Sequence, residues 1–457
     1  METAVKKNDQ VLVTIEDIGS EGEGVGKING YTLFVKDTVV GDKALVNVMK
    51  TTKSYGYARL IKLVEPSEFR VEPRCPIASR CGGCQLQHLD YKKQLEYKEN
   101  KVKNSLTRIG GFHDFAMEPI CGMEEPYYYR NKSQFPVGRK KDGGIAIGFY
   151  AERTHAIIDT EHCYIGAKVN VDILNFLRSF IEQYQVEPYD EETNKGLLRH
   201  IVTRVGFTTG EVMVCLVING KDLPHKEELI QGLKLIQGMK SICLNINKEN
   251  TNIILGEKII PIWGEPYITD YIGSIRYRIS PLSFFQVNPV QTKKLYDIAL
   301  DYADLHGDEV VWDLYCGIGT ISLFLAQKAK KVYGVEIIPE AIEDAKMNAT
   351  INEIKNAEFF LGAAEEVLPN KYKEDNIKAD VIVVDPPRKG CEQSLLDTIL
   401  AMAPKKVVYV SCDPATLARD LKYLCEKDYE LVKVRAVDQF GHSVHVETVV
   451  LLSRKAC

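Results

Sequence analysis

Between residues 8 and 64 the apolar positions come in short runs, VLVTIEDIG, GYTLFV, DKALVNVM and YGYARLIKLVE, parted by turns that contain Gly and Asp. Runs of that length and spacing predict strands. Together with the Gly-rich hairpin SEGEGVGKING they predict a small OB-like β-barrel over residues 1–64. The pattern is lost over 65–90, where Pro, Arg and Cys crowd together. It returns over 91–109 as a helix, with Tyr91, Leu95, Val102, Leu106 and Ile109 on one face. The other face carries Lys92, Lys93, Lys98, Lys101, Lys103 and Arg108 and reads as solvated. From 165 to 270 apolar strands and helices alternate (VDILNFLRSFIEQY, LLRHIVTRVG, EVMVCLVI, ELIQGLKLI), so residues 65–270 read as a central α+β domain. From 271 to 457 strand–turn–helix units follow one another, which predicts an α/β, Rossmann-like parallel sheet.

Composition narrows this little. At 457 residues, 45% hydrophobic and 26% charged, the chain suits several globular domains. No apolar run approaches the roughly 18 residues that cross a bilayer. The start, METAVKKNDQ, lacks the apolar core of a secretory signal. A cytoplasmic protein without a membrane partner, acting as a monomer, is therefore expected. The net charge of -5 does not announce a nucleic-acid partner. Locally, however, YYYRNKSQFPVGRKK (127–141) interleaves aromatic rings with cations, a mixture that suits RNA bases and phosphates.

Candidate chemistry concentrates in the C-terminal part. In VVWDLYCGIGTISL a buried strand carries Asp313 and runs into a loop with Gly317 and Gly319 that opens a helix. The next strand, KVYGVEI, ends in Glu336, placed to accept bonds from a ribose diol. This order points to an adenosine-containing cofactor. A dinucleotide fingerprint needs a third glycine where this chain has Ser322, which weakens a nicotinamide reading and with it an oxidoreductase. IVVDPPR (382–388) then ends a strand on Asp385, two prolines and Arg388, a rigid turn suited to a flat substrate. Together these features resemble class I S-adenosylmethionine-dependent methyltransferases that act on nucleobases.

KVVYVSCDP ends its strand on Cys412, and FGHSVHVETVVLL carries Glu447 into the last strand. Carbon 5 of uracil is a poor nucleophile. A thiolate adding to carbon 6 activates it, and a base must later remove the carbon-5 proton so that the thiol can leave. Cys412 is the candidate nucleophile, with a helix starting near Pro414 expected to lower its pKa. Glu447 is the candidate base, because a carboxylate beside an apolar strand has a raised pKa. His442 and His445 are its rivals.

The motifs SFFQVN (283–288), DLYCGIGT (313–320), DPPRKG (385–390), SCDPATLARD (411–420) and HVE (445–447) together resemble the RNA uracil-5-methyltransferases. The resemblance implies Cys412 as nucleophile and Glu447 as base. It implies Gln286, Tyr315, Gly317, Glu336 and Asp385 as contacts of S-adenosyl-L-methionine, with Gln286 also reaching the uracil and Phe284 stacking on it. At LGAAEEV the family commonly has Asp or Asn near the position of Ala363, so the contact to adenine differs here.

Three cysteines, Cys75, Cys81 and Cys84, are spaced C-x5-C-x2-C, with Cys163 in DTEHCYIG as a fourth. Clustered thiols in a cytosolic chain suit zinc or an iron–sulfur cluster. Within the resembled family, the members acting on ribosomal RNA carry this set, hold a 4Fe-4S cluster and have an N-terminal TRAM domain like residues 1–64. The resemblance thus implies 23S ribosomal RNA as partner and the cluster as a staple or RNA-binding element; His88 and Cys121 read as structural. A transfer RNA substrate is the neighbouring alternative, and a non-catalytic RNA-binding factor on the same fold is the more distant one.

Overall fold

The structure, a computed structural model, describes residues 5–152, 154–375 and 377–456. It comprises two units: a first of residues up to Lys101 with Tyr150–Ala156 and Phe440–His445, and a second holding the remainder.

In the first unit β1 (Gln10–Ile18), β2 (Gly24–Ile28), β3 (Tyr31–Lys36), β4 (Lys43–Thr51) and β5 (Tyr55–Glu65) close a barrel in the order β1-β2-β3-β5-β4. Strict alternation makes it close. Val13, Ile15, Leu33, Val35, Ala44, Val46 and Val48 all point inward and are buried. Outside, the rings of Phe34, Tyr55 and Tyr57 gather with centroids 5.6–5.8 Å apart.

The expected helix forms as α1 (Tyr91–Ser105) and ends in a π turn over Leu106–Gly110 closed by left-handed Gly111. Its faces depart from the amphipathic reading. Lys98 is fully buried, not solvated, and its Nζ donates to the Phe440 carbonyl at 2.9 Å. Gln94 is buried one turn earlier and donates to the carbonyls of Leu86 and Leu89. Polar side chains can occupy a buried stripe because backbone acceptors meet them there; Ile109 is left exposed.

In the second unit β6 (Ala116–Cys121) is followed by β7 (Lys132–Arg139), β8 (Ile145–Tyr150) and β9 (Ile157–Asp159). Next come α2 (Asn170–Gln183), β10 (Leu198–Val205), β11 (Val212–Ile218), α3 (Lys226–Leu233), β12 (Met239–Ile246) and β13 (Lys258–Gly264). These strands, β6 excepted, form a seven-stranded sheet ordered β13-β12-β11-β10-β7-β8-β9. Its core packs Phe135, Ile201, Val214 and Leu244 against Leu174 and Leu177 of α2 and Leu229 of α3.

A hairpin of β14 (Ile268–Ile272) and β15 (Ile275–Ile279) leads into α4 (Pro289–Ala303). Then follow β16 (Val310–Leu314), α5 (Thr320–Ala326), β17 (Lys331–Glu336), α6 (Pro339–Ile351), β18 (Ala357–Leu361) and α7 (Ala364–Glu374). The chain finishes with β19 (Val381–Val384), α8 (Gln393–Met402), β20 (Lys406–Ser411), α9 (Pro414–Cys425), β21 (Tyr429–Val437) and β22 (Glu447–Arg454).

The sheet order is β18-β17-β16-β19-β20-β22-β21-β6. Strands β16 to β20 are parallel, as the sequence predicts, while β22 runs antiparallel between β20 and β21. β6 joins this sheet from the central stretch, parallel to β21. The order reverses between β16 and β19, and the crevice at such a reversal is where open α/β sheets bind ligands.

Candidate active site

Four side chains meet at one end of that sheet because strand direction puts them there. Asp385 follows the last residue of β19 and Cys412 the last of β20, two parallel neighbours. β22 runs the other way, so its first residue, Glu447, lies at the same end. Ser411 pairs with Thr448. One step further along that register sets Cys412 opposite Glu447, on the same side of the sheet. Arg388 completes the group on the loop after β19.

The electrostatics show the proximity. Burial pushes the Cys412 thiol up to about 11, and the carboxylates of Glu447 and Asp385 add to it, against a lowering by Arg388. Burial likewise pushes Glu447 up to about 8, with Asp385 raising and Arg388 lowering it. Asp385 is pushed up to about 7 by burial. The raised Glu447 agrees with the sequence reading; the expected lowering of Cys412 does not. The helix does begin at Pro414, but the Asp413 carboxylate takes its first amides, accepting from Ala415 N at 2.9 Å and Thr416 N at 3.0 Å. Those amides are turned to the cap, while burial and two facing carboxylates set the thiol.

Beside this group lies the glycine loop. Tyr315 has φ 68° and Gly317 and Gly319 have φ 54° and 80°, a left-handed run that turns the chain from β16 into α5. A Cβ on Gly317 would meet nothing within 4 Å, so the loop is open above it. A Cβ on Gly319 would press at 3.1–3.2 Å on Phe359 and Ala345. Glu336 leans on the loop: its Oε2 accepts from Gly317 N at 3.1 Å and its Oε1 from Ile337 N and Ile338 N at 2.8 and 3.0 Å. A carboxylate has lone pairs to spare for a diol after that.

Next to Glu336 three apolar side chains, Ile337, Ile338 and Leu361, are more than half exposed, a surface suited to a flat ring. The residues therefore fit an adenosyl group. Sequence reasoning missed these three; their signal was an apolar pair directly after a strand-end acid. Ser322, in place of a third glycine, donates to Asp313, which burial pushes up to about 7. Tyr315 donates to Glu365 at 2.9 Å, and Ala363 precedes α7 without a capping side chain.

The SFFQVN stretch splits its aromatic pair. Phe285 is buried against Tyr277, whereas Phe284 is 70% exposed. Asn131 holds this stretch, donating from Nδ2 to the Gln286 carbonyl at 3.0 Å and from its backbone N–H to the Val287 carbonyl at 2.8 Å. Lys132, next in the chain, pairs in register with buried Arg204. Burial, then Arg204 and Arg130, push its amine down to about 8. His442 is buried, with its backbone N–H and ring both bonded to Gln94, which suits a structural role rather than that of the base.

The four predicted cysteines divide between the two units. Burial raises the cost of ionising both Cys75 and Cys81, and Cys75 lies near enough to Cys81 to raise the latter's further. Cys84 is half-buried in the same loop, and Cys163 belongs to the second unit. Among the described residues no three Cys, His, Asp or Glu side chains are assembled as a metal site, so the expected four-thiolate arrangement is not displayed.

Comparison with known proteins places these features. The description "tRNA (Uracil-5-)-methyltransferase" matches residues 90–455, and "TRAM domain" matches residues 4–61. A protein of Clostridium tetani named "Uncharacterized RNA methyltransferase" is 53% identical over 450 residues, spanning 98% of this chain and 97% of its own. A similarly named protein of Halalkalibacterium halodurans is 51% identical over 452 residues, 99% and 98% of the two chains. The crystal structure of Pyrococcus abyssi tRNA (uracil-54, C5)-methyltransferase in complex with S-adenosyl-L-homocysteine matches with a TM-score of 0.78 and 30% identity, covering 97% of this chain and 100% of that one. The chain therefore belongs to the tRNA (uracil-5-)-methyltransferase family, as an S-adenosylmethionine-dependent RNA methyltransferase with an N-terminal TRAM domain.

Proposed function

We propose that this enzyme methylates carbon 5 of one or more uridines in 23S ribosomal RNA through a covalent Cys412–uracil adduct. The cross-strand register that sets the Cys412 thiol opposite the Glu447 carboxylate carries this reading. Cys412 gives up its proton to a neighbouring carboxylate, for which Asp385 at about 7 is suited, and its sulfur bonds to carbon 6 of the ring. S-adenosylmethionine, when bound against Gly317 and Glu336, supplies the methyl group. Glu447 removes the carbon-5 proton, and the carbon–sulfur bond then breaks to release Cys412. Phe284, exposed on its loop, offers a face on which an unstacked base can rest, and the Gln286 amide lies two residues on. Arg130 and Lys132 lie beside that loop as cations suited to phosphate, while buried Arg204 donates to the Ser283 carbonyl of the loop itself.

In this reading Cys75, Cys81, Cys84 and Cys163 hold a 4Fe-4S cluster, supported by their spacing and by the closeness of Cys75 and Cys81. No step of the methyl transfer runs through it. A transfer RNA substrate is the second reading, favoured by the name of the Pyrococcus abyssi enzyme. Mass mapping of both RNAs from cells lacking the protein separates them. Loss of 5-methyluridine from 23S RNA supports the proposal; loss from transfer RNA alone overturns its substrate.

A further inference from the structure

The SCDPATLARD motif runs well past the cysteine, and its last two residues do something the proposed chemistry does not use. Asp420, on α9, is 1% exposed. A carboxylate that deep is costly unless donors surround it. Its Oδ2 accepts from Cys391 N at 2.8 Å and from the Tyr409 hydroxyl at 2.7 Å, and its Oδ1 accepts from Arg419 Nε at 2.8 Å. Arg419 donates onward to the Lys389 carbonyl at 2.9 Å, and Thr416 donates to the Arg388 carbonyl at 3.0 Å. Gly390 has φ 79°, and a Cβ there would stand 2.5 Å from Asp420 Oδ2, so glycine lets the loop lie against the acid. The donors come from β20, from α9 and from the loop after β19, the three segments that also carry Cys412 and Arg388.

We propose, on the reading of Cys412 given above, that Asp420 is a positioning residue whose carboxylate clasps the 386–391 loop to β20 and α9 and thereby holds Arg388 beside the thiol. The groups facing Cys412 are Glu447 from β22 and Asp385 and Arg388 from the loop; Tyr296 of α4 faces Asp385 and Glu447 as a neutral phenol, and Asp413 is turned to its own helix. Arg388 is the one cation among them. Asp385 has its own anchor, its backbone N–H reaching the Leu314 carbonyl at 3.3 Å at the end of β19. Opening the clasp therefore frees the cation while the anions stay, and the thiol becomes harder to ionise.

The test is the pH dependence of Cys412 alkylation by iodoacetamide in the full-length protein without RNA, read by mass spectrometry of the Cys412 peptide. Asp420→Asn and Arg388→Ala should each raise the midpoint by roughly half a unit or more, and the double variant should move it no further than the larger single shift. An Asp420→Asn protein that melts earlier yet keeps the native midpoint overturns the proposal, as does a double variant whose shift equals the sum. If Asp420→Asn does not fold, Tyr409→Phe removes one bond of the clasp in the same shape; a smaller upward shift supports the role and an unchanged midpoint overturns it. Alkylation needs no methyl transfer, so this outcome is separate from whether Cys412→Ala retains turnover, which decides the catalytic reading.

Discussion

Cys412 and Glu447 stand opposite one another across the end of the β20–β22 ladder, the thiol one residue past Ser411 and the carboxylate one residue before Thr448. The two groups are 35 positions apart in the chain, and only the antiparallel return of β22 makes them neighbours. On the proposed reading, the nucleophile and the base flank the last paired residues of two hydrogen-bonded strands, Ser411 and Thr448, so a ring entering between them meets a preset geometry.

Removing either group has a distinct signature. Cys412→Ala should abolish both turnover and any covalent RNA–protein species while leaving RNA binding intact. Glu447→Gln should still add to the ring but fail to release it, and a slow-migrating RNA–protein band on a denaturing gel is the expected result. Normal turnover with no such band would remove Glu447 from the role of base.

The raised acid of Glu447 links activity to pH in one direction and stability in the other. A base pushed up to about 8 becomes competent as pH rises, so resolution of the adduct should accelerate from pH 6.5 towards about 8.5, read by single-turnover kinetics. In the folded protein the proton is held more tightly than in the unfolded chain. That contribution to stability is complete below the ordinary value of 4.5 and is lost as pH climbs through about 8. Glu447→Gln avoids the loss, so its melting temperature should gain on the native protein between pH 5 and pH 9.

The two phenylalanines of SFFQVN should separate cleanly. Phe285→Ala empties a packed site and should cost about 3–5 kcal/mol in denaturant unfolding. Phe284→Ala removes an exposed ring and should change stability by less than about 0.5 kcal/mol. Its effect should appear as a raised KM for RNA with little change for S-adenosylmethionine.

Gly317 and Gly319 serve different ends. Gly319→Ala presses on Phe359 and Ala345 as well as straining a left-handed backbone, and should lower the melting temperature. Gly317→Ala also strains a left-handed backbone, at φ 54°, but its side chain projects into open space above the loop, and it should weaken S-adenosylhomocysteine binding, measured by calorimetry, by more than its effect on stability explains.

Anaerobically purified protein should contain about four iron and four sulfide per chain if the cysteine reading is right. Stoichiometric zinc instead would replace the cluster. Cys81→Ser should release the metal in either case.

Local patterns in the chain determined a good deal on their own. Alternation in 8–64 dictates strands that close a barrel, since one face must be buried and each turn is short. The strand–turn–helix units after 271 dictate parallel strands, and the glycine loop, Glu336, Asp385 and Cys412 each announce themselves as polar or flexible residues where an apolar run stops. What the tertiary structure alone decided is every property that depends on who the neighbours are. Lys98 reads as solvated by charge but is buried, its Nζ received by the Phe440 carbonyl. The Cys412 thiol reads as activated by its helix, yet burial and two carboxylates raise it while the Asp413 cap takes the helix amides. β6 reads as part of the central stretch and pairs instead with β21. Periodicity is a property of adjacent residues, whereas burial, pKa and cross-strand partnership arise from contacts between residues distant in the chain, and those exist only once it has folded.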